Sequence, residues 1–551
     1  MPLYEKFVGR NRDDFATLED LQKNYKVTVG DDFNYSYDVV DVIAKETPDK
    51  LAMLWVSNEG EERRFTFEDL RRLSNQTANF LVRHGVKKGD CVMLVLKRGY
   101  QFWYTLLALH RVGAIAIPAT HLLTAKDYVY RANAATVKMM IITGDGDPTD
   151  HVNEAMPECT SVETYCVTKH KDAGEKWLDF DALVAQESEE FARPTGEAAN
   201  KSSDPMLMFF TSGTTGYPKM VWHDFTYPLG HILTGCFWHR VVDGGLHFTI
   251  SDTGWGKALW GKLYGQWLCE GAVFTYDFDR FNAADILPLF AKYHITTFCA
   301  PPTMYRMMIK QDLSLYDFSS VKRATTAGEA MNPEVFRQFE RLTGLKLMEG
   351  FGQTETTLSI ANLMGNAHKV GSMGKPVPLY DIQLLDAEGK PVGAGITGEI
   401  CIRTSEKVPC GLFKGYYNAP EKTSDVWHDG WYHTGDTAWR DEDGFFWYVG
   451  RVDDVIKSSG YRIGPFEIES VIMELPYVLE CGVSAAPDEV RGQVVKASVV
   501  LTKGTEPSEA LKKEIQEYVK THTAPYKYPR IVVFRDELPK TISGKIQRNK
   551  L

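Results

Sequence analysis

The chain has 551 residues, which is too many for one hydrophobic core and predicts two or more domains. With 44% hydrophobic and 25% charged residues, its composition is that of an ordinary globular protein and excludes a largely disordered chain. The 62 basic and 73 acidic residues give a net charge of −11, which argues against a general nucleic-acid binder.

Strands and helices alternate through the first part of the chain. Residues 1–50 show no strong period, and we expect them to wrap the domain that follows. After them, apolar runs predict strands at 51–56, 91–96, 114–118 and 137–143, and helices after Thr66 and at 101–112. Thr66 and Asp69 have the spacing of a capping box, and Gly85 ends the first of these helices. The alternation predicts a parallel sheet covered by helices on both faces.

The next predicted strand, at 206–210, leads into a loop that has the composition of a phosphate-binding site. Backbone N–H groups of glycines can approach an anion closely, and hydroxyl and ammonium groups donate hydrogen bonds to phosphate oxygens. The spacing of the glycines and the lysine is not that of the usual nucleotide P-loop, and a mobile surface linker is the alternative. The candidate phosphate ligands are Thr211, Ser212, Gly213, Thr214, Thr215, Gly216 and Lys219.

Three more predicted strands, at 295–299, 321–327 and 345–348, end in segments rich in glycine, proline or polar residues. Because ligands of parallel α/β sheets gather at the carboxyl ends of strands, we expect a site there. Phe351 offers a flat face beside polar groups, as adenine requires, and the Glu355 carboxylate suits a hard metal ion. A plain strand-to-helix turn is the alternative. The candidate residues are Gly328, Glu349, Gly350, Phe351, Gly352, Gln353, Thr354 and Glu355.

After Gly398, alternating β-type segments replace the alternation of strands and helices, and they predict a small β-rich subdomain. Asp436 follows a glycine turn, and one carboxylate can accept hydrogen bonds from both hydroxyls of a ribose. Most Gly-Asp pairs are ordinary turns, so this pattern is weak by itself. The charged segment 448–462 contains Arg451, two acids and a Ser-Ser-Gly sequence. We place a domain boundary at Asp453, which divides the chain into residues 1–452 and 453–551.

The second part, residues 453–551, predicts a compact α/β domain with helices at 465–474 and 508–521. Lys545 lies on a glycine-containing loop of this domain, where a lysine is most often a solvated surface residue. The chain ends soon afterwards at Leu551. If that end is native, we expect this loop to be weakly anchored; a truncated chain is the alternative.

The nine cysteines are scattered between Cys91 and Cys481 without a Cys-x-x-Cys pair. This usage predicts free thiols in a reducing compartment rather than a disulfide framework or a zinc knuckle. The chain contains no His-Glu-x-x-His motif, which is the pattern that would indicate a catalytic zinc site. The start of the chain has no apolar signal core, and no apolar run approaches membrane-spanning length. We therefore expect a soluble cytoplasmic protein.

Five motifs in the same order resemble those of the adenylate-forming enzymes, which comprise acyl-CoA synthetases, luciferases and the adenylation domains of peptide synthetases. They lie at 211–219, 350–355, 432–436, 450–457 and 539–546, so the likeness extends over nearly the whole chain. Segments 249–255, 300–307, 459–465 and 523–530 look most like those of the medium-chain acyl-CoA synthetases.

The resemblance implies an α/β fold. A large N-terminal domain with parallel-sheet α/β subdomains and a small β-rich subdomain would precede a small α+β C-terminal domain that rotates about Asp453. It also implies the reaction, in which ATP and a carboxylic acid form an acyl-adenylate and release pyrophosphate. Charge builds up as two anions meet, so cations and fixed donors should supply most of the stabilisation.

The roles of individual residues follow from the same resemblance. Lys545 would touch both the carboxylate and the α-phosphate, and the 211–219 loop would hold the β- and γ-phosphates. Mg²⁺ would sit near Glu355 and Thr214. Asp436 would bind the ribose, and Arg451 would grip ribose and phosphate.

In the second step that the resemblance implies, the thiol of coenzyme A attacks the acyl carbonyl and AMP leaves. Because Lys545 would block the path of the thiol, the C-terminal domain should first rotate and present another face. Guanidinium groups on that face would suit the phosphates of coenzyme A. The residues expected to contact coenzyme A are Ser459, Gly460, Tyr461, Arg491, Lys520, Tyr528 and Arg530.

The acyl pocket is the least determined part of this interpretation. An aromatic, short or branched acid remains an alternative to a medium-chain acid, and so does an adenylation enzyme that serves a carrier protein. A catalytically silent nucleotide-binding scaffold is the alternative from a different class, and the presence of Lys545, Asp436 and Glu355 argues against it. The sequence does not distinguish a monomer from a homodimer. By motif position, the candidate pocket walls are Trp255, Trp260, Gly328 and Phe351.

Overall fold

The structure is a computed structural model that describes residues 2–211, 217–363, 368–459, 461–541 and 545–551. The N-terminal segment forms short helices that pack onto the first core. The Tyr35 hydroxyl donates to the Tyr264 carbonyl oxygen (2.8 Å), and Phe7, Phe15 and Phe33 are buried. The helices are α1 (Glu5–Val8), α2 (Leu18–Asn24) and α3 (Asp41–Glu46).

The predicted alternation of strands and helices then continues to residue 224. The capping box of Thr66 and Asp69 at the start of the first long helix is confirmed. The elements are β1 (Leu51–Ser57), β2 (Glu62–Thr66), α4 (Phe67–Arg83), β3 (Cys91–Val95), α5 (Gln101–Val112), β4 (Ile115–Pro118), α6 (Ala125–Ala134), β5 (Val137–Ile142), α7 (Pro148–Ala155), β6 (Thr164–Val167), β7 (Trp177–Asp179), α8 (Phe180–Val184), β8 (Pro205–Thr211) and β9 (Lys219–Asp224).

A second α/β region follows the first. Its elements are α9 (Tyr227–Ile232), β10 (Leu246–Thr249), α10 (Gly256–Gly261), α11 (Tyr264–Leu268), β11 (Ala272–Asp277), α12 (Ala283–Tyr293), β12 (Thr297–Ala300), α13 (Pro302–Met308), β13 (Arg323–Thr326), α14 (Pro333–Thr343), β14 (Leu347–Phe351), β15 (Ile360–Ala361) and β16 (Lys375–Pro376). A π-helical turn, Leu233–Trp238, continues α9.

Two sheets form the large domain. In the first, the order is β7-β6-β5-β3-β4-β8-β9, and all neighbours are parallel except β8 and β9. In the second, the order is β16-β15-β14-β13-β12-β10-β11-β1-β2, with a parallel centre from β14 to β1. The predicted parallel α/β architecture is therefore confirmed.

A small β subdomain follows, in which β17, β18, β20 and β19 pair in that order and β21 pairs with β20. Its elements are β17 (Ile382–Leu385), β18 (Gly398–Arg403), α15 (Pro420–Ser424), β19 (Trp427–His428), β20 (Trp431–Arg440) and β21 (Phe446–Arg451). The last region has a separate core and a sheet in the order β23-β22-β25-β24, with β26 beside β25. Its elements are β22 (Ile456–Ser458), β23 (Tyr461–Ile463), α16 (Pro465–Ile472), β24 (Val478–Asp488), β25 (Gly492–Leu501), α17 (Glu509–His522) and β26 (Ile531–Phe534).

The last region contacts the rest of the molecule through α16. The Asn332 side chain donates to the Ser470 carbonyl oxygen (2.9 Å), and the rings of Tyr448 and Phe466 lie 6.0 Å apart. The boundary at Asp453 remains a prediction. Within the ranges that the structure describes, no helix has both the length and the hydropathy needed to cross a bilayer.

The expectation that all cysteines are free thiols is wrong for one pair. Cys236 and Cys269 form a disulfide, with their Cα atoms 6.0 Å apart. The two residues are 33 positions apart in the sequence, and they meet because the π-helical turn packs against α11. Spacing along the chain gives no sign of that contact.

Candidate active site

The predicted phosphate-binding loop is held between two paired strands. Thr211, at the end of β8, lies opposite Lys219, at the start of β9. Near the second end of the loop, the Tyr130 hydroxyl donates to the Pro218 carbonyl oxygen (3.0 Å), and its ring stacks on Tyr217 at 4.6 Å. Both ends of the loop are therefore fixed. Five of its candidate ligands lie outside the described residues: Ser212, Gly213, Thr214, Thr215 and Gly216.

Lys219 and Glu355 both contact Tyr416. The Lys219 ammonium lies 4.6 Å from the centre of the Tyr416 ring, and the Tyr416 hydroxyl donates to Glu355 Oε1 (3.0 Å). Burial raises the pKa of the Glu355 carboxyl above its ordinary value, since a carboxylate loses hydration there. A divalent cation would compensate for that loss, so this carboxyl has the environment of a metal ligand.

Asp436 is a buried carboxylate with donors on several sides. Tyr448 donates its hydroxyl to Oδ1 (3.0 Å), while the Gln353 amide and Arg451 Nη1 (3.4 Å) contact Oδ2. The Tyr432 hydroxyl in turn holds the Gln353 side-chain oxygen (2.7 Å). Burial raises the pKa of Asp436, and the Arg451 charge opposes that shift. Gln353 and two residues of β21 thus fix one acceptor at the place predicted for a ribose.

The turn before Asp436 is fixed by a glutamate from the neighbouring strand. Gly435 has φ +70°, and a β-carbon there would stand 2.7 Å from Arg451 Nη2. Its N–H donates to Glu399 Oε1 (2.9 Å), and the other carboxylate oxygen of Glu399 lies 3.0 Å from His433 Nδ1. Glu399 therefore holds the backbone that carries Asp436 and leaves room for Arg451.

Glu349 is a buried acid with an incomplete set of partners. Its Oε1 accepts a hydrogen bond from the Met331 N–H (3.4 Å), and its Oε2 has no partner among the described residues. Burial raises the pKa of Glu349 to about 8, so the carboxyl is mostly protonated at neutral pH. In this form it can donate a hydrogen bond to a polar edge placed beside it.

The raised pKa of Glu349 predicts a pH-dependent stability. The folded protein holds this proton more tightly than the unfolded chain does, so the free energy of unfolding falls as pH rises from the ordinary glutamate value toward 8. Glu349→Gln should remove this fall, which we expect to amount to roughly 4 kcal/mol between pH 5 and 8.5. Urea titrations across that range would measure it, with the exposed Glu197→Gln as control. Parallel curves for wild type and Glu349→Gln would contradict the assignment.

Two tryptophans pack against the glycines of the 350–355 motif. A β-carbon on Gly352 would stand 2.3 Å from Trp260 Cη2, and one on Gly350 would stand 2.8 Å from Trp238 Cζ2. Both positions therefore accept only glycine while the indoles keep their places. The edge of the expected nucleotide site and one candidate acyl wall are thus in direct contact.

The other candidate acyl walls lie on or next to three different elements. Phe351 is half-buried, and its ring lies 6.4 Å from Tyr448. Trp255 immediately precedes α10, and Gly328 has φ +110° just after β13. A β-carbon on Gly328 would stand 3.9 Å from Lys257 Nζ. His223 Nε2 lies 2.8 Å from the Thr354 carbonyl oxygen, and this contact holds the end of the 350–355 motif in place.

Lys545 is exposed, and its positive charge is the smallest of the influences that oppose the rise in the pKa of Asp436. The segment 545–551 is anchored by Arg548, which forms two hydrogen bonds with Glu469 (3.0 and 2.8 Å) and one with Asp454 (3.2 Å). The expectation of weak anchoring is therefore wrong for residues 545–551, because Arg548 binds an acid on α16 and another beside Asp453.

The proposed hinge lies in a 3₁₀ turn, Val452–Asp454, between β21 and β22. The residues expected to contact coenzyme A are exposed or form small local groups. Ser459 and Arg491 bond to each other (Nη1 to Oγ, 3.3 Å), and Arg530 donates to the Tyr528 hydroxyl (2.9 Å).

The remaining candidates for coenzyme A have separate neighbours. Tyr461 stacks on Tyr526 at 4.1 Å, and Lys520 pairs with Glu517 on α17 (3.4 Å). Gly460 lies outside the described residues. The structure thus joins two pairs of these candidates but does not bring the whole set together.

Several residues of the site were missed by sequence reasoning. Tyr416 bonds to Glu355, Tyr448 bonds to Asp436, Tyr432 holds Gln353, and Glu399 holds the turn. Tyr432 and Tyr448 lie inside quoted motifs, and that position was the only signal available. Nothing in the sequence marks Tyr416 or Glu399 as different from a packing or surface residue.

Comparison with known proteins gives one consistent family. The AMP-binding enzyme family matches residues 40–417, and the AMP-binding enzyme C-terminal domain matches residues 467–545. The mitochondrial acyl-coenzyme A synthetase ACSM3 of Mus musculus is 39% identical, over 100% of this chain and 95% of its own length. The mitochondrial acyl-coenzyme A synthetase ACSM4 of Homo sapiens is 42% identical, over 94% and 90%.

Solved structures agree with this result. The anthranilate CoA ligase AuaEII in complex with anthranoyl-AMP has a TM-score of 0.85 and 28% identity, over 95% of this chain and 97% of its own. An acyl-CoA synthetase of Brucella canis has a TM-score of 0.74 and 29% identity, over 97% and 98%. The resemblance that the motifs indicated is confirmed.

The cytoplasmic localisation expected from the sequence is wrong. The synthetases ACSM3, ACSM4 and ACSM5, which match over nearly the whole chain, are all named as mitochondrial.

Proposed function

This chain belongs to the AMP-binding enzyme family, and from that premise we propose that it is an acyl-CoA synthetase, an acid–thiol ligase. It joins a medium-chain carboxylic acid to coenzyme A through an acyl-adenylate, and ATP is converted to AMP and pyrophosphate. The observation that carries the proposal is the set of contacts on Asp436, a buried acceptor. The positive charge of Lys545 also contributes to lowering the pKa of Asp436, against the larger effect of burial.

In the first half-reaction, the chain has to bring two anions together. Asp436 accepts hydrogen bonds from the ribose hydroxyls, and Arg451, already beside it, binds ribose and phosphate. The phosphate loop and Lys219 hold the terminal phosphates. Lys545 then places its ammonium between the carboxylate and the α-phosphate, where it stabilises the charge that develops in the transition state.

We further propose that Mg²⁺ binds near Glu355, together with a threonine of the loop. One carboxylate plus substrate phosphates is a usual set of ligands for this ion, and the half-buried Glu355 carboxyl fits it. When bound, the ion neutralises phosphate charge. Tyr416 keeps one carboxylate oxygen in place and leaves the other for a ligand.

In the second half-reaction, the small domain turns about Asp453 and takes Lys545 away. The proposed contacts with coenzyme A then come from the Ser459–Arg491 pair, Tyr461, Lys520, and the Tyr528–Arg530 pair. All of these side chains except Tyr528, which is half-buried, are exposed, so they are accessible for a large ligand. Guanidinium groups suit its phosphates.

The class of acid rests on two different arguments. The medium-chain assignment follows the motifs and the synthetase relatives, whereas AuaEII, a solved structure with the same fold, is an anthranilate ligase. An aromatic acid is therefore the second candidate. The paired tryptophans Trp238 and Trp260 and the small Gly352 define the region where this choice is made.

A substrate panel separates these candidates. We expect AMP production with C6–C10 acids to exceed that with acetate, palmitate, benzoate and anthranilate by about tenfold or more, since each buried methylene contributes ~1 kcal/mol. The measurement is AMP release with and without coenzyme A. If AMP production were highest with benzoate or anthranilate, the preferred substrate would be an aromatic acid. AMP formation that does not respond to coenzyme A would favour service to a carrier protein, and no AMP with any acid would refute the proposed activity.

A further inference from the structure

Three side chains of different chemistry meet on one face of the β subdomain. Cys401, on β18, lies opposite His433, on β20, and Glu399 lies two residues before Cys401 on the same face of its strand. His433 Nδ1 is 3.5 Å from Cys401 Sγ and 3.0 Å from Glu399 Oε2. Within the residues that the structure describes, no other group of three or more His, Cys, Asp or Glu side chains holds its ligand atoms within 4.8 Å of one another.

Hydrogen bonds alone do not satisfy this group. The Nδ1 atom of His433 carries at most one hydrogen, which can point to only one of its two neighbours. Sγ of Cys401 and Oε2 of Glu399 nevertheless both face this nitrogen, so the three atoms converge on one point. A metal ion at that point would be shared by all three side chains.

The distances within the group are close to those around a zinc ion. Zn²⁺ is usually tetrahedral, with bonds of about 2.3 Å to sulfur and about 2.0 Å to nitrogen or oxygen. Such bonds place sulfur and nitrogen about 3.5 Å apart, and nitrogen and oxygen about 3.3 Å apart. The observed 3.5 Å and 3.0 Å therefore require a shift of only ~0.3 Å. A thiolate and a carboxylate would also balance the two positive charges of the ion.

Neighbouring groups fix the orientation of these side chains. Glu399 Oε1 accepts a hydrogen bond from the Gly435 N–H (2.9 Å), which leaves Oε2 for an ion. The His433 ring stacks on that of His428, with the ring centres 4.1 Å apart. Contacts of this kind orient the ligands of metal sites. The side chains of Glu399 and His433 are 23% and 18% exposed, so an ion can reach the buried thiol of Cys401 from solvent.

We propose that Glu399, Cys401 and His433 bind a Zn²⁺ ion that stabilises the β subdomain, with water as the fourth ligand. This site shares no residue with the proposed Mg²⁺ position at Glu355, and it does not depend on the proposed synthetase activity. The Cys401 thiol gives up its proton to solvent when the zinc–sulfur bond forms, because the thiolate is the ligand. Since Glu399 also supports the turn before Asp436, the ion would connect that turn to both strands.

The test uses the full chain, freed of metal with a chelator and handled without oxygen. Zn²⁺ is titrated by calorimetry with Mg²⁺ in excess, and Co²⁺ replaces Zn²⁺ for absorption spectroscopy, in which a bound thiolate gives a charge-transfer band. Cys401→Ser and His433→Gln each remove one ligand. Cys410→Ser, at a free cysteine outside the group, is the matched control. Glu355→Gln reports on Zn²⁺ bound at the proposed Mg²⁺ position.

We expect wild type to bind one Zn²⁺ ion and to show the cobalt–thiolate band. Cys401→Ser should lose the band, and both ligand variants should bind Zn²⁺ at least ~10- to 100-fold more weakly, since loss of even a supporting contact has that effect. Cys410→Ser and Glu355→Gln should match wild type. Zn²⁺ should raise the thermal unfolding midpoint of wild type but not that of Cys401→Ser. X-ray absorption of zinc-loaded wild type should show one sulfur ligand, and this measurement decides the question even if a variant does not fold.

Three results would overturn the inference. Wild type that binds no Zn²⁺ would leave the three side chains as a hydrogen-bonded support for the turn. Undiminished binding in Cys401→Ser, or a zinc spectrum without sulfur, would exclude the thiol as a ligand. Loss of binding in Cys410→Ser or Glu355→Gln would place the ion elsewhere. Failure of the proposed synthetase activity would look different, because wild type would then make no AMP and would still bind Zn²⁺.

Discussion

Lys545→Ala should abolish the first half-reaction and spare the second. We expect acid-dependent pyrophosphate exchange to fall by ~10²–10³-fold, the usual cost of removing a charged donor from a developing anion. Thioester formation from supplied acyl-AMP should change little, because the proposed rotation takes the lysine away before that step. The two half-reactions are measured separately, by isotope exchange and by thioester release.

The exposed Lys550→Ala, on the same terminal segment, is the matched control and should behave as wild type. It also tests whether disturbance of the tail by itself lowers activity. Equal loss of both half-reactions in Lys545→Ala would refute the division of labour between the two faces of the small domain.

Asp453→Pro should slow the second half-reaction, in which coenzyme A attacks the acyl-adenylate. The residue lies in a 3₁₀ turn, whose φ of roughly −60° a proline ring accepts, so the orientation with Lys545 near Asp436 should survive. Rotation needs a change of backbone angles at the hinge, which the ring restricts. We expect near-normal pyrophosphate exchange and a coenzyme A step slowed roughly 10- to 100-fold.

Asp453→Ala, which leaves the backbone free, separates loss of the carboxylate from loss of rotation. If its second step is as slow as that of Asp453→Pro, the side chain rather than the backbone is responsible. Unchanged overall turnover in the proline variant would place the hinge elsewhere.

Local patterns allowed much of the fold to be predicted. The capping box at Thr66 and Asp69 specifies its helix through bonds within one turn, and the alternation of apolar runs specifies parallel strands. These signals need no knowledge of distant residues. The N-terminal segment was harder, because its short helices are stabilised by contacts such as that of Tyr35 with Tyr264 rather than by their own period.

The residues of the candidate site also fall into those that local patterns predict and those that depend on distant contacts. Asp436, Arg451 and Glu355 lie in recognisable motifs, but the tyrosines that hold them depend on long-range contacts, such as that between Tyr416 and Glu355. The same reason hides the Cys236–Cys269 disulfide and the Arg548 anchor. A side chain whose role depends on a partner far away in the chain leaves no local pattern.

The contact of Trp260 with Gly352 restricts how substrate preference can diverge in this enzyme. The Trp260 indole packs against Gly352, and in the proposed function it would face the acid on one side and support the backbone beside the nucleotide on the other. A smaller residue at 260 would lengthen the room for the acid but would also loosen the support under the base. Engineered or evolved shifts in chain length that use this position should therefore carry a change in ATP affinity, and second substitutions near Gly352 would be needed to separate the two traits.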